Sequence, residues 1–154
     1  AVRDAIGPAR RIVDLFAGCG TFALPLAEQA EVHAVEGDPA MTAALDKAAR
    51  QTEGFKKITT EARDLFRRPL EPDEFKGIDA VVIDPPRAGA EAQTATLARS
   101  KIPVIAAVSC NPVTFARDAK TLIAAGYRLD WVQVIDQFRW STHVELVARF
   151  SSAD

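Results

Sequence analysis

A doubly wound, mostly parallel α/β sheet is the fold this sequence predicts, and three observations predict it. Short apolar runs alternate with segments of helical periodicity, and several runs are apolar without a break, as strands covered on both faces are. The first five runs stop at or beside Phe16, Glu36, Asp64, Asp84 and Cys110, and ligands of such sheets bind outside the carboxyl ends of the strands. The last two runs, Tyr127 to Phe138 and Thr142 to Phe150, are joined by too few residues for a crossover helix and are expected to pair antiparallel.

Taken in order, Arg11 to Ala17 reads as a strand, Gly18-Cys19-Gly20-Thr21 as a tight turn, and Phe22 to Ala30 as a helix with Pro25 in its first turn. Val32 to Val35 is the next strand and ends at Glu36. Asp38 is placed to cap, and Pro39 to open, a helix whose apolar positions Met41, Ala44, Leu45 and Ala48 share one face. Lys57 to Ala62 reads as a strand ending near Asp64, before a Pro- and charge-rich connection from Arg67 to Lys76. Ile78 to Ile83 is a stronger strand that runs into Asp84-Pro85-Pro86-Arg87, and Ala90 to Arg99 is a small-residue helix. Val104 to Val108 stops at Ser109-Cys110; Asn111 and Pro112 then start a helix carrying Phe115, Ala116, Ala119, Leu122 and Ile123 at helical spacing.

A length of 154 residues predicts one domain, and 48% hydrophobic with 26% charged residues at a net charge of -2 is the profile of a soluble globular protein. No apolar run is long enough to span a bilayer and the first residues lack signal-peptide order, so a cytoplasmic location is the default expectation. Cys19 and Cys110 make no disulfide framework, and with two histidines there is no zinc spacing, so no metal is expected. A pI near 5.7 argues against a self-sufficient nucleic-acid binder, which needs clustered Lys and Arg; any grip on RNA is expected to lie mostly elsewhere. The start, one short turn before a core strand, fits a catalytic domain cut from a longer polypeptide.

The candidate chemistry gathers at the strand ends. Cys110 sits just before a helix N-terminus, where the backbone dipole favours the nucleophilic thiolate; the alternative is a small buried residue at a strand end. Gly18 and Gly20 let the backbone approach a ligand, and Glu36, about twenty residues past the strand, suits ribose hydroxyls. A tight turn with an incidental acid is the other reading. Asp64 is placed at an adenine edge, and two prolines hold Asp84 at the end of an apolar strand, where an unpaired charge is costly. His143 and Glu145 alternate onto one face of the last strand, with Glu145 a general base if it reaches the cleft; a solvated strand Glu and a hydrogen-bonded structural His are the other readings. His33 and Cys19 read as packing.

Four segments together resemble the RNA uracil-5 methyltransferases, over nearly the whole chain: Asp14 to Phe22 (Asp-Leu-Phe-Ala-Gly-Cys-Gly-Thr-Phe), Asp84-Pro-Pro-Arg-Ala-Gly89, Ser109-Cys-Asn-Pro-Val-Thr-Phe-Ala-Arg-Asp118 and His143-Val-Glu145. The resemblance implies a class I, Rossmann-like methyltransferase fold and a reaction that makes 5-methyluridine in ribosomal or transfer RNA, with ribosomal RNA slightly favoured. It implies Cys110 as nucleophile, Glu145 as proton acceptor, and Phe16, Gly18, Gly20, Thr21, Glu36, Asp64 and Asp84 around S-adenosylmethionine. Members of the family carry an N-terminal RNA-binding region, and many ribosomal members an iron-sulfur cluster held by four cysteines; this chain has neither, and it reads Phe138 to Thr142 where a Pro-x-Thr segment is usual. Two other classes compete. An amino-group methyltransferase with an Asp-Pro-Pro motif usually places an aromatic residue where Arg87 stands, and a cofactor-binding domain without catalysis would bind and not turn over.

Overall fold

The structure, a computed structural model, describes residues 1–135 and 144–153. Strand β1 (Arg11–Leu15) lies inside a seven-stranded sheet, with β2 (Glu31–Glu36) and then β3 (Ile58–Ala62) on one side. On the other side follow β4 (Ala80–Ile83), β5 (Val104–Ser109), β7 (Glu145–Ser152) and, at the edge, β6 (Tyr127–Ile135). Neighbours pair parallel except that β7 runs antiparallel to both β5 and β6. Winding away from β1 reverses between β2 and β4, which opens a crevice at the carboxyl ends of β1 and β4.

Alternation along the strands builds a core on each face. Ile12, Val32, Ala34, Val82, Val108 and Val147 pack with α1 (Val2–Ile6), α2 (Ala23–Leu26) and Leu45 of α3 (Pro39–Gln51). Val13, Leu15, Val35, Ile83, Ile105 and Phe150 point the other way, onto Leu97 of α4 (Glu91–Arg99), Leu122 of α5 (Pro112–Ala124) and Phe75 of a 3₁₀ turn. Each such aliphatic side chain contributes about 1.5–3 kcal/mol by leaving water.

The two predicted caps form. Asp38 Oδ1 accepts from the N–H groups of Ala40 and Met41 at 2.8 and 3.4 Å, and Asn111 Oδ1 accepts from Val113 N–H at 3.0 Å. Other expectations shift. The helix expected over Phe22 to Ala30 is only the four residues of α2, continued by turns. On α3 the buried positions are Thr42 and Leu45, while Met41 is 46% exposed and Ala44 is exposed; Thr42 Oγ1 donates to Asp38 O at 3.0 Å, so the cap fixes which side of the first turn meets the sheet. The strand expected from Ile78 begins at Ala80, because Asp79 is held back: its carboxylate accepts from the N–H groups of Arg10 and Arg11, both at 2.9 Å. No described helix is long and apolar enough to cross a membrane.

Candidate functional site

Strand alternation brings five residues from five strand ends to one face. Asp14, Glu36, Asp84 and Cys110 each lie two positions past a residue buried against the α1–α3 layer, namely Ile12, Ala34, Val82 and Val108. Glu145 lies two positions before Val147 on the antiparallel β7 and shares that face. The register between β5 and β7 ends at Ser109 opposite Leu146; Cys110 follows Ser109 directly along the chain and Glu145 directly precedes Leu146. Residues opposed on neighbouring strands project to the same side, and Cys110 and Glu145 adjoin the last such pair. Cys110 is a free, half-buried thiol at the N-terminus of α5.

Beside this pair is a cleft of about 410 Å³, walled by Phe16, Glu36, Asp64, Phe66, Asp84 and Pro85. Its size falls within the range of small-molecule sites. Phe16 is the only non-glycine among the described residues with a positive φ, 61°, a conformation that costs free energy for an L-residue and recurs at functional sites. There the chain leaves β1: Ala17 N–H donates to Val35 O at 3.1 Å and Asp84 N–H to Leu15 O at 3.2 Å, so the turn starts wedged between β2 and β4. Glu36 is clamped, its Oε2 accepting from Gly18 N–H at 2.8 Å and its Oε1 from Asp38 N–H at 2.9 Å. Gly20 and Thr21 do not line the cleft. At Gly20, with φ 102°, an added Cβ would sit 2.5 Å from the Leu45 side chain; Thr21 is exposed on the turn.

Asp64 faces the cleft from the loop after β3, and Arg63 holds that loop. The Arg63 guanidinium donates to both Glu74 carboxylate oxygens at 2.7 and 3.0 Å, and to the carbonyls of Arg68 and Pro69 at 2.7 and 2.9 Å. This pairing keeps the Glu74 carboxyl below its ordinary range. Asp64 Oδ1 accepts from Phe66 N–H at 3.0 Å, which sets the Phe66 ring 5.4 Å from that of Phe16.

The acids at the strand ends act on one another. Burial raises the Asp84 carboxyl to about 6, helped by the charge of Glu145, which places these two groups in one electrostatic neighbourhood. Asp14, absent from the sequence-based candidates, is fully buried, and neither of its carboxylate oxygens has a hydrogen-bond partner. Burial raises it to about 8, with the charges of Asp84 and Glu36 adding to the effect; the Ala23 N–H pulls the other way without reaching hydrogen-bond geometry. Asp84 ionises first, and its charge then helps to hold the proton on Asp14. An unpaired buried carboxyl is expensive unless a ligand answers it. The signal was legible, since Asp14 interrupts an apolar strand just as Asp84 ends one.

Two structural assignments need correction. Cys19 does not pack but is exposed, because Gly18 and Gly20 turn its side chain outward. His33 is half-buried, with Nδ1 at 2.8 Å from Thr59 Oγ1 and Nε2 at 3.3 Å from Glu61; β2 lies next to the edge strand β3, whose side chains there are polar. His143 lies outside the described residues.

Residues 4–150 match the family described as tRNA (Uracil-5-)-methyltransferase. The chain belongs to that family. An uncharacterized RNA methyltransferase of Rhizobium meliloti is 63% identical over 143 residues, which are 93% of this chain and 34% of that protein. The 23S rRNA (uracil(1939)-C(5))-methyltransferase RlmD of Psychrobacter arcticus is 43% identical over 146 residues, covering 91% of this chain and 28% of that one. The crystal structure of Pyrococcus abyssi tRNA (uracil-54, C5)-methyltransferase, a complex with S-adenosyl-L-homocysteine, aligns with a TM-score of 0.81 at 32% identity, over 97% of this chain and 36% of that one. The class I methyltransferase fold is thereby borne out. The chain spans about a third of the length of the curated relatives it matches.

Proposed function

We propose that this uracil-5 methyltransferase family member transfers a methyl group from S-adenosylmethionine to C5 of a uridine in RNA. The observation that carries the proposal is that Cys110, just past the end of β5, and Glu145, the first residue of β7, flank the last pair of the β5–β7 register, on the side of the sheet where a cleft is rimmed with carboxylates. The residues present suit the cofactor. Its cationic sulfonium and ammonium groups answer the unpaired Asp14 and the raised Asp84, while Phe16, Glu36 and Asp64 offer an aromatic face and acceptors for an adenosine. When bound, it supplies an electrophilic methyl group.

The chain's residues do the rest. C5 of uracil is a weak nucleophile; the Cys110 thiolate adds to C6, a C–S bond forms, and the electron pair displaced from the C5–C6 bond makes C5 enolate-like and able to take the methyl group. Glu145 then removes the C5 proton, and the returning pair expels the thiolate, restoring Cys110. Ribosomal RNA is the proposed target ahead of transfer RNA, because the relative named for 23S rRNA is more similar than the structure named for tRNA. The target base has to be unstacked or in a loop to reach the thiolate, and part of the RNA grip is proposed to lie outside this chain.

RNA carrying 5-fluorouridine tests the scheme, since C5 then holds fluorine in place of a removable proton. With cofactor present, the full-length protein should form a covalent RNA complex stable in denaturing gels, and Cys110→Ala should form none. Glu145→Gln should slow methylation of ordinary RNA by about 10²–10⁴-fold while the cysteine adduct accumulates. Methylation that survives Cys110→Ala would instead support amino-group transfer.

A further inference from the structure

Phe66 is 50% exposed, unusual for a phenylalanine fixed in place, and it lines two cavities at once. One is the cleft it shares with Phe16. The other is a groove of about 330 Å³ bounded by Ala88, Gly89, Glu91, Ala92 and Arg117. Both walls of the groove are built. On one side Asp64 holds the Phe66 N–H, and the Arg63–Glu74 pair locks the loop behind it. On the other side the loop after Asp84 is stapled to α5: Arg87 O accepts from Asn111 Nδ2 at 3.0 Å and Thr114 Oγ1 at 3.1 Å, and Ala88 O accepts from Arg117 Nη2 at 3.1 Å.

We propose that this groove receives the nucleobase adjacent to the target uridine, stacked on the outward face of Phe66 with Arg117 and Arg67 toward the RNA phosphates. The inference rests on the uridine-methylating reading above. Three features carry it. The alanine methyls and bare glycine backbone opposite an aromatic ring leave a flat slot, which suits a base better than a phosphate. The loop that supplies Ala88 and Gly89 to the slot is tied through Arg87 O to Asn111, the residue after Cys110, which favours a nucleotide next to the one undergoing chemistry. Cations are close by: Arg117 lines the groove and, though paired with Asp118 and 3.8 Å from Glu91, keeps 40% of its side chain open, while Arg67, next to Phe66 in the chain and 3.7 Å from Asp64, is 86% exposed. Stacking of this kind tolerates any base, so the slot would position the strand without choosing its sequence.

Fluorescence anisotropy with the full-length protein and a single-stranded RNA containing one uridine tests the proposal, with intact RNA compared to RNA made abasic on one or the other side of that uridine. For one of the two sides, the abasic RNA should bind the unaltered protein about tenfold or more weakly. Phe66→Leu should weaken intact RNA by a similar factor, removing the same base should then cost little more, and Phe66→Trp should restore binding. Additive losses from Phe66→Leu and the abasic site would overturn the proposal. So would unchanged RNA affinity in Phe66→Leu with weaker S-adenosylhomocysteine binding, which would assign the ring to the cofactor cleft alone. Failure of the uridine reading is distinguishable, because RNA affinity is measured without methyl transfer: the cycle can hold while the Cys110-dependent complex is absent.

Discussion

Asp14 shows how one residue couples stability to ligand binding. In the ligand-free fold its carboxyl is raised to about 8, whereas the unfolded chain releases that proton near 3.8. The folded state therefore binds the extra proton between those values, and stability should fall as pH rises through that window, by up to about 1.4 kcal/mol per pH unit. Urea titrations at pH 5 and pH 7.5 should show that fall, and Asp14→Asn should flatten it. A cationic ligand answers the same charge. Cofactor affinity should rise between pH 6 and pH 8, with proton release seen by calorimetry in buffers of different ionisation enthalpy, and Asp14→Asn should weaken binding and remove the release. Asp14 lies one residue inside β1 rather than at its end, so a search for chemistry at strand ends does not reach it.

Among the elements, α5 was the most legible. A capping side chain acts within three residues of itself, so Asn111-Pro112 announces the helix from local chemistry alone. What local chemistry does not disclose is the second task of the same side chain, since Asn111 Nδ2 also donates to Arg87 O, twenty-four positions away, and steadies the loop beyond Asp84. Asn111→Ala should cost about 1–2 kcal/mol in urea unfolding and lower activity further by freeing that loop. Asn111→Asp keeps the cap acceptor and loses the Arg87 donor, so it should restore most of the stability and less of the activity. By contrast, α2 is shorter than its pattern suggests, and α3 is turned so that Met41 faces water. Those outcomes follow from how each helix meets the sheet, which helical spacing does not encode.

At the scale of the whole molecule, β7 is the piece that completes the site. It enters between β5 and β6, brings Glu145 to the end of β5 that Cys110 follows, and buries Phe150 completely in the core shared with α4 and α5. Phe150 also meets Phe115 of α5, ring centroids 6.3 Å apart, so this strand couples the sheet to the helix that carries the cysteine at its start. Phe150→Ala should destabilise the protein by about 3–5 kcal/mol in a single cooperative transition, read as the shift in urea midpoint. A separate early transition confined to β6 and β7 would show that the strand bearing Glu145 is independent of the core.

The chain of residues by itself determined the alternating strands and helices, the two side-chain caps, the antiparallel final pair and the strand-end candidates, because propensity, capping and period-two alternation act over a few residues. Tertiary structure alone decided that Asp14 is buried without a partner, that Cys19 is exposed, that Glu145 and Cys110 adjoin the same end of the β5–β7 pairing, and that Phe66 divides two cavities. Each of those depends on which strands become neighbours and how deeply water is excluded between them, and no short stretch of sequence carries that information.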